Sequence, residues 1–276
     1  MSTIFNVDKD INDCLEIINS RKASTRGSGK IYRNTNEYLS SILNPSLIEG
    51  KEVLSVLASS DQPFSCYYNG AKSVDTFDSN MLAYYYFFLK KWCMMYTGAY
   101  YLSANNEDLR RCIELHSNTP EELIAYKFWK EVLVNIKESL YYSELFYKGT
   151  AWWNVPYMED MNTFLRKVVG LKPNFTKGNI FEPLTIDKQY DVVVLSNILE
   201  YLYDDIDYDT KSANVALDNL LKLLKPEGIV ISSNIIDYEY SGNEIFEEFF
   251  EYQEGPSGLN RLYNKQVPMY YTYKKK

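Results

Sequence analysis

Asp78 closes the second of two short apolar runs in this 276-residue chain. The first run, Val53-Leu54-Ser55-Val56-Leu57, ends in the small-residue turn Ala58-Ser59-Ser60-Asp61. The second, Val74-Asp75-Thr76-Phe77, runs into Asp78-Ser79-Asn80. A strand, a tight turn, a helix and a second strand ending in a carboxylate is the layout with which α/β folds hold the ribose and charged tail of a nucleoside cofactor. The small side chains of the turn let the backbone come close to a ligand, and the carboxylate accepts hydrogen bonds from paired sugar hydroxyls. An Asp at a strand end also serves simply to cap the next helix. Its neighbours here favour the sugar.

These residues need a frame, and the hydrophobic pattern supplies one. The run Glu52 to Leu57 is apolar with little alternation, as a central parallel strand buried on both faces requires. Pro63 to Asn69 reads as the crossover helix. Tyr190 to Asn197 and Ile229 to Asn234 are further β-branched strands, each ending in polar residues. Asn174 to Ile180 reads as a short strand and its exit. Met161 to Val169, Asp209 to Leu224 and Glu244 to Tyr252 read as helices. Lys225-Pro226-Glu227-Gly228 reads as a turn, and Asn260 to Lys274 as a closing hairpin. Strands alternating with helices give a doubly wound, mostly parallel sheet.

Two blocks stand outside that alternation. Ile4 to Leu43 reads as helices broken by the basic, glycine-containing stretch Arg21 to Arg33. Residues 81–150 read as a helical insert. It opens with the aromatic helix Met81 to Tyr101, whose length approaches a membrane span but whose centre carries Lys90 and Lys91, so a buried or interface helix is expected. Thr119-Pro120-Glu121-Glu122 starts a later helix, with Thr119 as N-cap and Pro120 at the first helical position. The expected division is an N-terminal helical segment, residues 1–50, and a cofactor-binding domain, residues 51–276.

Composition narrows the function. Net charge is −8 and the pI is near 4.9, which disfavours general nucleic-acid binding. The four cysteines have no CxxC spacing, and His116 is the single histidine; this argues against a zinc site of Cys and His. No P-loop motif and no GxGxxG motif follow the first strand, against a nucleoside-triphosphatase and a nicotinamide dehydrogenase. With no signal peptide and no long apolar run, a cytoplasmic protein without a membrane span is expected. Aromatic side chains make up 16% of the chain, with 26 Tyr. Exposed aromatic helices such as Met81 to Tyr101 would offer a surface for homo-oligomers.

The ordered exits at Ala58 to Asp61, Asp78 to Met81, Gly178 to Ile180 and Ser196 to Tyr201 resemble those of the class I S-adenosylmethionine-dependent methyltransferases. Leu223-Leu224-Lys225-Pro226-Glu227-Gly228 resembles the turn before their fifth strand. The final hairpin fits their antiparallel last strand. The resemblance implies a Rossmann-like α/β fold with an antiparallel C-terminal strand. It implies S-adenosyl-L-methionine as cofactor and methyl transfer to a small-molecule acceptor. Carried over by position, Ala58, Ser59, Ser60 and Asp61 would line the methionine tail and Asp78 the ribose. Asn80 and Met81 would flank ribose and adenine, and Asn179 and Ile180 would border the adenine. Ser196 and Asn197 would lie under the reactive sulfur, and Tyr32 would close over the cofactor. The chain departs from the family in its first turn, which lacks the usual glycines.

Transfer from a sulfonium needs mainly alignment and exclusion of water. Where the acceptor needs a base, Tyr201, Asp204 and Asp205 are the local groups, although Asp204-Asp205-Ile206-Asp207 also reads as a solvated loop. Trp152-Trp153 reads as a wall of the acceptor pocket or as an anchor for the insert. Asp78-Ser79-Asn80, Asn154 to Met158 and Leu195 to Leu202 also resemble the betaine-lipid synthase type. That keeps 3-amino-3-carboxypropyl transfer as an alternative, beside a non-catalytic relative suggested by the glycine-free turn.

Overall fold

A computed structural model describes residues 5–20, 29–35, 37, 39–98, 105–115, 118–136, 140, 145–147, 155–168, 170–200, 210–233, 249–253, 257–260, 265–268 and 270–276. In chain order, α1 (Val7–Ser20), β1 (Ile31–Tyr32), α2 (Leu39–Ile42) and α3 (Pro45–Ile48) lead into β2 (Glu52–Val56), α4 (Asp61–Tyr68) and β3 (Ser73–Asp78). The helices α5 (Met81–Thr97), α6 (Asn106–Leu115) and α7 (Pro120–Asn135) follow, then β4 (Phe146–Tyr147) and α8 (Met161–Val168). The remainder comprises β5 (Asn174–Lys177), β6 (Tyr190–Ser196), α9 (Thr210–Leu223), β7 (Leu224–Ser233), β8 (Phe250–Gln253), β9 (Ser257–Asn260), β10 (Lys265–Pro268) and β11 (Tyr270–Lys275).

Seven strands form one sheet in the order β5-β3-β2-β6-β7-β11-β8. The first five pair in parallel, and β11 runs antiparallel to both β7 and β8. This is the expected doubly wound, Rossmann-like α/β sheet with an antiparallel C-terminal strand. Alternate residues of the central strands face opposite sides, as the strand period demands. Val53, Val74, Val192 and Val194 pack with Phe64, Phe87 and Phe164 of α4, α5 and α8. Leu54, Val56, Val193 and Leu195 pack with Ala213, Ala216 and Leu220, the apolar stripe of α9.

Helix α5 is buried all round from Met81 to Met94. Over Met81 to Met94 it is therefore a core helix rather than an exposed aromatic one; Tyr96 beyond it is exposed, and residues 99–101 of the expected helix lie outside the described residues. Its two lysines are neutralised inside the protein. Lys90 Nζ lies 2.6 Å from Asp61 Oδ1, and Lys91 Nζ lies 3.1 Å from Glu122 Oε1. Thr119 caps α7 as expected, in a reciprocal capping box with Glu122. No helix among the described residues is long and apolar enough to cross a membrane.

Several local expectations need correction. The crossover helix begins at Asp61, ahead of Pro63, because proline fits the first turn of a helix. Phe250 to Tyr252 is strand, not helix: its backbone pairs with β11, Tyr252 opposite Tyr273 and Phe250 opposite Lys275. The segment Lys225 to Gly228 is looped out within β7, opposite Asp191 in β6, and Glu227 takes a left-handed φ of 62°. Gly228 is required there, since a Cβ would stand 2.9 Å from the Lys225 carbonyl oxygen. The C-terminal hairpin is β9 with β10, and β11 follows it into the main sheet. The pairing of β1 with β4, Ile31 opposite Phe146, was not expected from sequence.

Candidate functional site

Four parallel strands end on one side of a cavity of about 750 Å³, within the size of ligand pockets. Asp78 sits at its floor, half-buried but open to the cavity. Its Oδ2 accepts the Ala58 N–H at 2.9 Å and its Oδ1 accepts the Asn80 N–H at 2.8 Å. Burial pushes this carboxyl up to about 6, against the opposing pull of backbone N–H groups from Asn80, Ala58 and Ser79. Each oxygen retains lone-pair capacity for a further donor.

The turn after β2 takes the backbone shape of a glycine turn without glycine. Ala58 and Ser60 have left-handed φ values of 42° and 71°, and the Ser60 N–H donates to the Leu57 carbonyl at 2.6 Å. Ser196, at the end of β6, is left-handed as well, with φ 56°. Such conformations are costly for residues with a Cβ, and they concentrate where a site demands them. Three of the four non-glycine residues with positive φ among the described residues rim this one cavity or its supporting turn.

The cavity collects most of the residues expected from sequence. Ala58 and Ser59 line it from β2, Asp78, Asn80 and Met81 from β3. Asn179 and Ile180 line it beyond β5, Ser196 and Asn197 beyond β6, and Tyr32 from β1. Asn80 also caps α5 by accepting the Leu82 N–H at 3.0 Å, and its Nδ2 donates to the Gly29 carbonyl at 2.8 Å. It thereby ties the segment before β1 over the site. Tyr201, Asp204, Asp205, Trp152, Trp153, Asn154 and His116 lie outside the described residues.

Ser60 and Asp61 stand behind the cavity wall rather than on it. Both are buried, at 0% and 1% exposure. Asp61 instead organises the wall. Its Oδ2 accepts from the Thr35 N–H at 2.6 Å and Ser59 Oγ at 2.7 Å, and its Oδ1 accepts from Lys90 Nζ and the Tyr157 hydroxyl. Lys90 Nζ donates further to the Ser59 carbonyl at 2.9 Å and the Arg33 carbonyl at 3.0 Å. Burial pulls the Lys90 ammonium down, and Asp61 beside it holds it partly up. A charged side chain inside this apolar helix was the signal that a buried acid had to face it.

Gln62, Thr35 and Glu37 escaped the sequence reading. Gln62 and Thr35 line the cavity, and Gln62 Nε2 donates to the buried Glu37 Oε2 at 2.6 Å. Thr35 and Glu37 belong to the N-terminal segment, and only the tertiary fold brings them to α4.

No family model matches the chain, and no curated protein matches it. Among solved structures, the chain is similar to the N-methyltransferase NodS from Bradyrhizobium japonicum in complex with S-adenosyl-L-homocysteine. The identity is 11%, covering 86% of this chain and 83% of that one, with a TM-score of 0.44. A TehB-like SAM-dependent methyltransferase from Corynebacterium glutamicum aligns at 10% identity, over 88% of this chain and 90% of that one, with a TM-score of 0.44. Magnesium protoporphyrin IX methyltransferase from Synechocystis with bound SAM aligns at 13% identity, over 100% of this chain and 86% of that one, with a TM-score of 0.38. The strand order and pairing directions of the sheet define the fold independently of these alignments.

Proposed function

We propose that this chain is an S-adenosylmethionine-dependent transferase that methylates a small-molecule acceptor. One observation carries the reading: Asp78, at the carboxyl end of β3, holds both oxygens against backbone N–H groups while staying open to the cavity. A carboxylate so fixed matches the paired hydroxyls of a ribose. Apolar Phe77 and Ile180 beside Asn179 suit a planar base, and the small residues Ala58 and Ser59 leave room for an amino-acid tail.

When bound, the cofactor supplies a carbon already activated by its positive sulfur. The chain's own task is then to orient and to exclude water. Asn197 and Ser196 border the end of the cavity nearest β6 and would orient the acceptor; Tyr201 is the proposed base for acceptors that need one. The modest cavity and the acidic chain support a small acceptor over a polynucleotide. In this reading residues 51–276 carry the cofactor, with residues 1–50 and the helical insert covering the site.

Calorimetric titration with S-adenosylmethionine, S-adenosylhomocysteine and methylthioadenosine tests it. Tight binding of the homocysteine form is expected, as the product of methyl transfer, and loss of that binding in Asp78→Ala. A preference for methylthioadenosine would redirect the assignment to aminocarboxypropyl transfer. Unchanged affinity in Asp78→Ala would remove the ribose assignment.

A further inference from the structure

Asn219 lies in α9 on the buried face that Ala216 and Leu223 occupy, and it is 5% exposed. An amide in that position has left water and needs partners inside the protein. Its partners lie in one loop. Nδ2 donates to the Ile180 carbonyl at 2.8 Å and to the Glu182 carbonyl at 2.7 Å, and Oδ1 accepts the Leu184 N–H at 3.3 Å. Carbonyls only accept and a backbone N–H only donates, so these contacts fix which arm of the amide is nitrogen.

That loop, residues 178–189, joins β5 to β6 and contains neither helix nor strand. Its backbone groups therefore lack a ladder to satisfy them. The first part of the loop lines the cavity, with Asn179 and Phe181 half-buried and so within reach of a ligand. At its start the Gly178 N–H donates to the Asp78 carbonyl at 3.0 Å. Asn179 closes the turn, accepting the Phe181 N–H through Oδ1 at 3.1 Å and the Glu182 N–H through its carbonyl at 3.0 Å. Asn219 fastens the far side. The cavity wall from Asn179 to Phe181 is thus held between Asp78 and α9. A wall already in place spares a ligand the cost of ordering it. The ribose and the amino-acid tail would meet other elements, β3 and the turn after β2, so a clamp on this loop bears on the base alone.

We infer that Asn219 is a positioning residue that pre-organises the wall for the base of the nucleoside ligand, and thereby sets how strongly the protein prefers a ligand that carries the base. This rests on the cofactor reading given above. Asn219 does not line the cavity and acts through the loop.

Calorimetry on the full chain tests the assignment with S-adenosylhomocysteine and with S-ribosylhomocysteine, which keeps the ribose and the tail but lacks the base. The wild-type protein should bind S-adenosylhomocysteine at least about tenfold more tightly. Asn219→Leu, of similar size but without the three hydrogen bonds, should lower affinity for S-adenosylhomocysteine by about tenfold and leave S-ribosylhomocysteine within about twofold. Equal losses for both ligands, or no loss for either, would overturn the inference, because a general structural defect does not read the base. Amide hydrogen exchange of the wild-type protein decides even where Asn219→Leu does not fold. The Leu184 N–H, bonded to Asn219, should exchange more slowly with saturating S-adenosylhomocysteine than with saturating S-ribosylhomocysteine. Equal exchange in the two complexes would overturn the inference. Equal wild-type affinities for the two ligands would overturn it as well, while leaving the ribose and tail assignments standing. If the wild-type protein binds neither, the cofactor reading itself fails and this inference fails with it.

Discussion

Asp78 is where burial and charge oppose each other most visibly. Its carboxyl is pushed up to about 6 from an ordinary value of 3.8, so the folded protein holds a proton that the unfolded chain releases. The stability from this proton is present below about pH 3.8 and is lost as pH rises through about 6. Ligand binding runs the other way, since accepting from two hydroxyls is best done by the ionised group. Affinity for S-adenosylhomocysteine should therefore rise across this window and level off above it, and the rise should vanish in Asp78→Asn. Titration at several pH values, with melting temperatures of the free protein measured alongside, checks both trends.

The turn between β2 and α4 shows why a missing glycine motif does not abolish a glycine-like turn. The tight Leu57–Ser60 hydrogen bond and the hub at Asp61 impose positive φ on Ala58 and Ser60, whatever their side chains prefer. Ser60 adds a second cost, because its buried Oγ has no hydrogen-bond partner among the described residues. Ser60→Gly is accordingly expected to stabilise the protein by about 1 kcal/mol, by removing strain at a left-handed position. Urea denaturation would reveal it as a higher midpoint at unchanged slope. Ala58 and Asp78 together show how much of the site was legible. Strand exits could be read because buried parallel strands are apolar and end abruptly in polar residues. The division of labour within one exit could not: Ser59 faces the cavity while Ser60 and Asp61, of equally suitable type, turn into the protein.

Across the whole molecule, Asp61 joins segments distant in sequence. It meets Thr35 of the N-terminal segment, Lys90 of α5 and Tyr157 before α8, all around the turn that shapes the cavity. Removing one partner of a buried ion pair leaves the other charge uncompensated, at about 3–5 kcal/mol. Lys90→Met should destabilise the protein on this scale by chemical denaturation. Much of the loss should be recovered in Lys90→Met combined with Asp61→Asn, whose neutral amide needs no counter-charge. A loss no larger than that of an exposed lysine would refute the hub.

By itself the sequence determined the class of fold. The β-branched runs, the amphipathic stripe of α9 and the N-cap at Thr119 are local patterns, and local backbone preferences plus burial suffice to interpret them. It also determined which strand ends carry polar residues, and with them the part of the cavity lining that the strand exits supply. It misread Phe250 to Tyr252, where a run rich in Phe and Glu satisfies a helical spacing but the partner strand β11 supplies the hydrogen bonds. Only the tertiary structure decided that Lys90 answers Asp61, that Glu37 orients Gln62, and that β1 pairs with β4. Those are contacts between side chains or short strands far apart along the chain. Their energies depend on geometry that no residue pattern encodes, because a buried charge or amide specifies that it needs a partner but not where in the chain that partner lies.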